Sequence, residues 1–314
     1  MEQLKGIHHV TAITGDAEKN LRFYSELLGQ RLVKKTVNFD DPGSYHLYYG
    51  DRLGTPGTLI TFFAWPGAGR GRRGVGEPVS LTYEVAPGAL SWWRKRFASA
   101  HLPVEELGSL FGWPTIRITD PDGIQIELAE VPNPRETEYW AGEEIPKDFA
   151  IRSIRGVTLA HRSLASSADL YTDQLFFHES GEENGHHRFL VGDTPEQSFV
   201  DVMTPATLTR GSMGAGTIHH VAFRTSSDET QNEWLTRVQK LGLHVSPVMD
   251  RNYFHSIYFR ELNGVLFEVA TDGPGMSIDE STDHLGEKLV LPRMYEGMRT
   301  RIEQALPPLA AIHS

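Results

Sequence analysis

The chain has 314 residues, 39% of them hydrophobic and 23% charged, the balance of a globular protein of roughly two domains at about 100–200 residues each. Its 41 acidic residues against 30 basic ones give a net charge of −11, which argues against non-specific nucleic-acid binding, since that depends on basic surface. Cysteine is absent and histidine numbers 14, so disulfides, thiolate metal sites and a cysteine nucleophile are excluded, and a transition-metal site must draw on His, Asp and Glu.

No apolar run approaches the roughly 18–20 residues that cross a bilayer, and the opening MEQLKGIHHV lacks the shape of a signal peptide. A cytoplasmic protein without membrane or nucleic-acid partners is the expectation.

Four segments share one order: a strand, an amphipathic helix, then three strands. The first opens with GIHHVTAIT (6–14), continues in a helix over Asp16 to Leu28 with Leu21, Tyr24, Leu27 and Leu28 on one stripe, stops at Gly29, and closes with the strands RLVKKTVNF, YHLYYG and GTLITFFAW. GAGRGRRGVG (67–76) follows; it lacks the Walker spacing and a strand–turn–helix frame, and reads as an exposed linker. The second segment opens with PVSLTYEV (78–85), has the helix ALSWWRKRFASA, whose Trp92 and Trp93 read as structural, and closes with GIQIELAE (123–130) after the turn Asp120-Pro121-Asp122-Gly123. A polar stretch, PNPRETEYWAGEEIPKD (132–148), sets a domain boundary. The third segment opens with IRGVTLAHRS (154–163) and closes near SFVDVM (198–203); the fourth opens with TIHHVAFRT (217–225), has the helix DETQNEWLTRVQKLG, and closes with GVLFEVAT (264–271). The expected fold is α+β: four βαβββ modules in two domains of paired modules, 1–148 and 149–272, with a tail 273–314 that packs on the body and holds a helix around Tyr295 to Leu306.

The first and fourth segments both open with His-His-Val, and the fourth closes with Gly-Val-Leu-Phe-Glu. Side chains alternate along a strand, so only one histidine of each pair is expected to point into a concave sheet. The second of each pair, His9 and His220, is taken as that one, leaving His8 and His219 on the other side or at the rim. With Glu268, which is costly to bury without a cation or an arginine beside it, they make a two-histidine, one-carboxylate face that leaves positions open on a metal. The other repeats lack the set: Thr61 stands at the carboxylate slot of the first, the second has Glu127 but Val79 and Ser80 where a histidine would be needed, and the third has Gly156 there with Asp201 in its closing strand. One metal site, built from the first and last repeats, is expected, in preference to a rival pairing of His9 with Glu127.

The repeated unit with His9, His220 and Glu268 resembles the vicinal oxygen chelate superfamily, which includes glyoxalase I and the extradiol dioxygenases. The runs DRNYFHSIYFRELNGVLFEVATDGPG (250–275) and DESTDHLGEKLVLP (279–292) resemble the ring-cleaving hydroquinone 1,2-dioxygenases. The resemblance implies Fe(II) or Mn(II) on those three residues, O2 as co-substrate, a small aromatic substrate, and supporting roles for His8, Thr11, His219, Arg251 and Tyr258. Tyr258 and His219 are the candidates for moving protons, and Arg251 for orienting a substrate oxygen or holding a carboxylate. Tyr258, Thr11 and Arg251 are also residue types that a strand or a turn uses without function, and Tyr253, Phe254 and His255 are either pocket lining or packing. The alternatives are a glyoxalase-type isomerase or thiol transferase on the same scaffold, and a non-enzymatic protein that binds aromatic compounds. No G-x-S-x-G elbow supports a serine hydrolase. Oligomeric state is left open, a homo-oligomer being compatible with paired modules.

Overall fold

All four segments fold as read in the computed structural model, which describes residues 2–140, 145–193, 197–207 and 209–310. Residues 141–144 of the separating stretch and 311–314 of the tail lie outside the described residues. The first unit is β1 (Ile7–Thr14), α1 (Ala17–Leu21), β2 (Arg31–Asn38), β3 (Asp41–Gly50) and β4 (Leu59–Ala64). The second is β5 (Glu77–Val85), α2 (Ala89–Ser99), β6 (Glu105–Leu110), β7 (Trp113–Thr119) and β8 (Gln125–Glu130). The third is β9 (Ile154–Ala160), α3 (Ala165–Asp169), β10 (His178–Glu183), β11 (His186–Val191) and β12 (Ser198–Met203). The fourth is β13 (Ile218–Thr225), α4 (Asp228–Lys240), β14 (Met249–Asp250), β15 (Phe254–Arg260) and β16 (Leu266–Pro274).

Local chemistry sets the helix ends. Asp16 accepts from the Lys19 amide at the start of α1, and Ser227 with Thr230 forms a capping box at α4, whose acidic first turn and basic last turn suit the helix dipole. The helices of the first and third units are wound looser than the 3.6-residue reading: α1 continues as a π-helix over Arg22–Leu27, and α3 over Leu170–Gln174. The extra residue per turn rotates the buried stripe, so Phe23 is buried and Leu27 only partly so. Gly29 then takes φ +69°, and a Cβ there would lie 2.3 Å from Ile145.

Among the described residues the strands form two eight-stranded sheets, in the orders β14-β15-β16-β13-β1-β4-β3-β2 and β10-β11-β12-β9-β5-β8-β7-β6. Within each unit the opening strand pairs parallel with the closing strand. That leaves one free edge on each opening strand, and the edges pair antiparallel, β1 with β13 and β5 with β9. The expected domains 1–148 and 149–272 therefore need correction as folded pairs: each half holds two units, but the first unit shares a sheet with the fourth and the second with the third.

The two connections between sheets run side by side. Val75 N donates to Thr209 O, Arg72 N to Ser212 O and Gly71 N to Ala215 O, all at 2.9 Å. The glycine-rich run is thus a half-buried ribbon partner rather than an exposed linker, and close approach explains its composition: a Cβ on Gly74 would lie 2.3 Å from Thr209 O. Gly74→Ala is expected to destabilise the protein by about 1–3 kcal/mol, as overpacking does. A thermal melt reads this, and a loss under about 0.5 kcal/mol would show that the two connections part easily.

The tail wraps onto the first unit. Arg31 donates to the carbonyls of Thr282 and Asp283, and Tyr45 to that of Pro307. It ends in α5 (Arg299–Ala305), preceded by a 3-10 turn over Arg293–Met298, where the sequence places a helix. No helix among the described residues is long and apolar enough to cross a membrane.

Candidate metal centre

Along β1, Val10 and Ala12 join the core while His9 and Thr11 line a cavity on the opposite face. His8 and His219 depart from this alternation. The β1–β13 register steps from Ile7↔Phe223 to His9↔Ala222, and from Thr11↔His220 to Ala12↔Ile218. Each step passes over one residue, His8 on one strand and His219 on the other, and each is a β-bulge. The bulge folds the first histidine of each pair onto the second. His8 Nδ1 lies 2.9 Å from His9 Nδ1, and His219 Nδ1 lies 2.8 Å from His220 Nδ1. Of the two placements expected for these histidines, the far side is corrected: His219 lines the cavity, as the rim placement has it, and His8 is buried against His9 and Phe254.

His9 Nε2, His220 Nε2 and Glu268 Oε2 converge. Their separations are 3.3 Å between the imidazoles, 3.3 Å from His9 to the carboxylate and 2.9 Å from His220 to it. Donor atoms about 2.1 Å from one cation stand about 3.0 Å apart on an octahedral face and about 3.4 Å apart on a tetrahedron, so the triangle fits a first-row divalent ion. Two further observations bear on the fit. Glu268 is fully buried, and its Oε2, although close to both imidazoles, has no partner in hydrogen-bond geometry, an arrangement that calls for a cation. Only one member of each Nδ1···Nδ1 pair can carry the hydrogen; with it on His9 and His220, both Nε2 lone pairs are free to bind a metal, and His8 and His219 act as acceptors behind them.

Burial drives His8 well below the ordinary imidazole range and, with His220 adding, His219 down to about 3. Burial lowers His220 as well. Burial pushes the Glu268 carboxyl up, but His9 and His220 together bring it well below the usual range. The carboxylate is ionised, and burial holds His8, His219 and His220 toward the neutral form. Its other oxygen, Oε1, accepts from Ser256 at 2.5 Å.

The cavity over this triangle measures about 360 Å³. Phe39, Phe63, Trp65 and Phe254 wall it, and Asp40, His46, Tyr48, Arg251 and Tyr258 supply polar groups. Arg251 Nε donates to the Tyr258 hydroxyl at 3.2 Å and its guanidinium lies 3.6 Å from Asp40. Thr11 bonds Thr61 at 2.8 Å. A larger open cleft of about 1050 Å³ lies between the tail and the fourth unit, but among the described residues no set of ligand atoms converges there. His255 faces that cleft, paired with Asp228, and Tyr253 is buried with its hydroxyl on Asp279; of the three residues 253–255, only Phe254 reaches the metal-side cavity.

The second sheet shows what the same positions hold where no such triangle forms. The register places Ser80 where His9 stands and Gly156 where His220 stands. Arg188 holds Asp201 with two bonds of 2.8 Å, Arg117 holds Glu127 at 2.8 Å, and the Phe199 ring occupies the space a Gly156 side chain would need. Among the described residues no other three His, Asp or Glu side chains converge as His9, His220 and Glu268 do.

Sequence reasoning missed Ser256, His46 and Tyr48. Ser256 stands two residues before Tyr258 on the same face of β15 and was findable by the period of two; His46 carries no signal in YHLYYG that separates it from a packed strand residue.

The fold and the paired-histidine site define a module of the glyoxalase type. A family model described as Glyoxalase/Bleomycin resistance protein/Dioxygenase superfamily matches residues 6–128 and 153–269, and the chain belongs to that superfamily. MhqO of Bacillus subtilis (strain 168), whose name assigns it provisionally to the ring-cleaving dioxygenases, is 44% identical over 96% of both chains. The chlorohydroquinone/hydroquinone 1,2-dioxygenase of Sphingobium indicum is 31% identical over 96% of this chain and 95% of its own. A crystal structure of a Bacillus subtilis protein provisionally named a dioxygenase superposes with a TM-score of 0.94 at 42% identity, covering 99% of each chain.

Proposed function

We propose that the chain is a metal-dependent, extradiol-type ring-cleaving dioxygenase that inserts both atoms of O2 into a hydroquinone- or catechol-like ring, with Fe(II) or Mn(II) held by His9, His220 and Glu268. The observation that carries this reading is the orphaned Glu268 Oε2 facing two imidazole Nε2 atoms on the floor of an aromatic-walled cavity. The names of the Bacillus and Sphingobium relatives supply the substrate class.

His9, His220 and Glu268 would hold the divalent metal, which would supply a Lewis acid for a phenol and a site for O2. The chain's own groups do the rest. His8 and His219 fix the ring orientation of His9 and His220 through the Nδ1 contacts, and Ser256 fixes the carboxylate plane. Phe39, Phe63, Trp65 and Phe254 accept the flat face of an aromatic ring and exclude water. Because Arg251 donates to the Tyr258 oxygen, the phenolic proton of Tyr258 is left free to point into the cavity. Burial, then Glu268, push that phenol well up, so Tyr258 stays protonated and serves as a donor to a reacting oxygen. Tyr258→Phe is therefore expected to retain metal while kcat falls about 100-fold or more; an unchanged kcat in the metal-loaded variant would remove Tyr258 from the chemistry.

The direct test is to purify the protein anaerobically, load it with Fe(II), add methylhydroquinone and follow O2 uptake. Uptake of one O2 per ring opened supports the reading. Absence of uptake with a panel of hydroquinones and catechols, in protein that has bound metal, would favour an isomerase or transferase on this scaffold.

A further inference from the structure

The first and fourth units meet about a pseudo-twofold axis that runs through the β1–β13 pair, since Thr11↔His220 maps onto His9↔Ala222. Carrying the register outward on both sides gives two matching rows. One runs Ala222, Glu268, Tyr258, with Ser256 two residues before the tyrosine. The other runs Thr11, Thr61, Tyr48, with His46 two residues before the tyrosine. Tyr48 is thus the counterpart of Tyr258, and both line the cavity.

The contents of the rows differ in an informative way. In the fourth unit the middle position is a carboxylate, and Ser256 donates to it. In the first unit it is Thr61, whose hydroxyl is 2.9 Å from His46 Nε2 and 2.8 Å from the Thr11 hydroxyl. The other nitrogen of His46, Nδ1, is 3.0 Å from the Tyr48 hydroxyl. A hydroxyl, an imidazole and two more hydroxyls follow one another without a break, and each can both donate and accept. Its two ends, Tyr48 Oη and Thr11 Oγ1, belong to cavity-lining residues and have no second hydrogen-bond partner among the described residues. In the second sheet the positions matching the two tyrosines hold Arg117 and Arg188, each closed onto a carboxylate. Packing in this fold therefore does not by itself demand tyrosine there.

We propose that Tyr48, His46, Thr61 and Thr11 form a proton path along the cavity wall, and that Tyr48 is a catalytic residue that takes a proton from a hydroxyl of a dihydroxy-aromatic substrate as it binds. The proposal rests on the dioxygenase reading for its substrate class. The proton count closes with His46 in its Nε2–H form. The substrate hydroxyl gives its proton to Tyr48 Oη, Tyr48 gives its own to His46 Nδ1, His46 passes the Nε2 proton to Thr61, Thr61 passes its proton to Thr11, and Thr11 releases one to water in the cavity. One proton leaves the substrate, no side chain is left charged, and His46 ends as the Nδ1–H tautomer; the reverse sequence resets it. His46 and Thr61 bond Tyr48 and Thr11 rather than the reacting hydroxyl, and are positioning residues that relay.

The discriminating variant is His46→Gln. A glutamine can accept from Tyr48 and donate to Thr61, which preserves the network, but it cannot exchange one proton for another. Tyr48→Phe, Thr61→Val and the conservative Thr61→Ser complete the set. With Fe(II)-loaded protein and methylhydroquinone, Tyr48→Phe and His46→Gln are expected to lower kcat about 100-fold or more with KM within about threefold and metal content at the wild-type level. Thr61→Val is expected to follow them, and Thr61→Ser to restore the rate. A second readout needs no turnover. Anaerobic stopped-flow mixing of the Fe(II)-loaded protein with methylhydroquinone, in weakly buffered solution with a pH indicator, should show proton release at least about tenfold slower in Tyr48→Phe and His46→Gln than in wild type. Equal rates of proton release together with kcat within about threefold of wild type in His46→Gln would overturn the path while leaving the dioxygenase reading intact. Wild type that binds methylhydroquinone with no O2 uptake would sink that reading, and the rate of proton release would still decide whether the path exists. If Tyr48→Phe fails to fold, His46→Gln and the Thr61 pair carry the test.

Discussion

Glu268→Gln is expected to fold normally, lose its metal and lose all ring-cleaving activity. The change is nearly isosteric, so the Ser256 bond to Oε1 survives. What changes is the atom facing the histidines. Glu268 Oε2 presents a lone pair and a negative charge toward His9 Nε2 and His220 Nε2; an amide NH2 there presents hydrogens to the same lone pairs and closes the triangle without an ion. Wild type should therefore gain stability on adding Fe(II), by about 4 kcal/mol at a thousandfold excess over Kd, while Glu268→Gln gains none. Paired melts with and without metal, with metal analysis after desalting, read both effects. His9→Ala and His220→Ala should behave alike. Glu127→Ala is the control: its carboxylate belongs to the other sheet and is already held by Arg117, so metal content should not move. Metal lost from Glu127→Ala and kept by Glu268→Gln would place the centre elsewhere.

Most of this centre was legible because duplication prints the same grammar four times. His-His-Val at matched starts, and Gly-to-Glu spacing at matched ends, single out His9, His220 and Glu268 against Thr61, Ser80 and Gly156 without any coordinates. What stayed hidden depends on long-range geometry. Strict alternation placed His8 and His219 on the far side or at the rim, and only a bulge in a pairing between residues more than two hundred apart folds them onto their neighbours. Which halves pair was also open, since either choice buries the free edges of the opening strands. The edge strands β6 and β10 are polar and largely exposed, so hydrophobic periodicity has nothing to report there. The π-winding at Arg22–Leu27 shifts a stripe that a 3.6-residue period reads one position out.

The second sheet argues that the metal face is a specialisation of a common frame. At its equivalent positions, arginines from neighbouring strands neutralise Asp201 and Glu127, and a phenylalanine ring takes the room of a histidine. Each burial problem there is solved internally. In the first sheet no arginine closes on Glu268 among the described residues, its Oε2 has no hydrogen-bond partner, and a cavity opens beside His9 and His220.

Lys34→Met is expected to cost about 3 kcal/mol of stability and to weaken metal retention from a distance. Lys34 lies on β2 with its side chain wholly buried, and its ammonium contacts Asp279 and Glu280 of the tail at 2.5 Å each. Breaking a buried pair by removing one partner costs about 3–5 kcal/mol, because the other charge stays behind. The low end applies, since Asp279 retains 25% exposure and can turn to water, whereas Glu280 retains 7% and cannot. The link to the centre runs through Tyr253. Its hydroxyl donates to Asp279 at 3.0 Å, its ring lies 5.0 Å from the Lys34 ammonium, and the next residue, Phe254, packs at 4.9 and 5.0 Å on the rings of His8 and His9. Met276 and Leu285 of the tail pack in the same apolar cluster as Tyr48 and Phe254. Freeing the tail should therefore loosen the wall that holds the imidazoles, with metal affinity falling about 10–100-fold, as for other groups that orient ligands. Urea denaturation should show a lower midpoint at unchanged slope. The combined variant Lys34→Met, Asp279→Asn, Glu280→Gln, which removes the stranded charges, should recover most of the loss. A single Lys34→Met variant within about 1 kcal/mol of wild type, with metal affinity intact, would show that the tail rests on the first unit without bracing the centre.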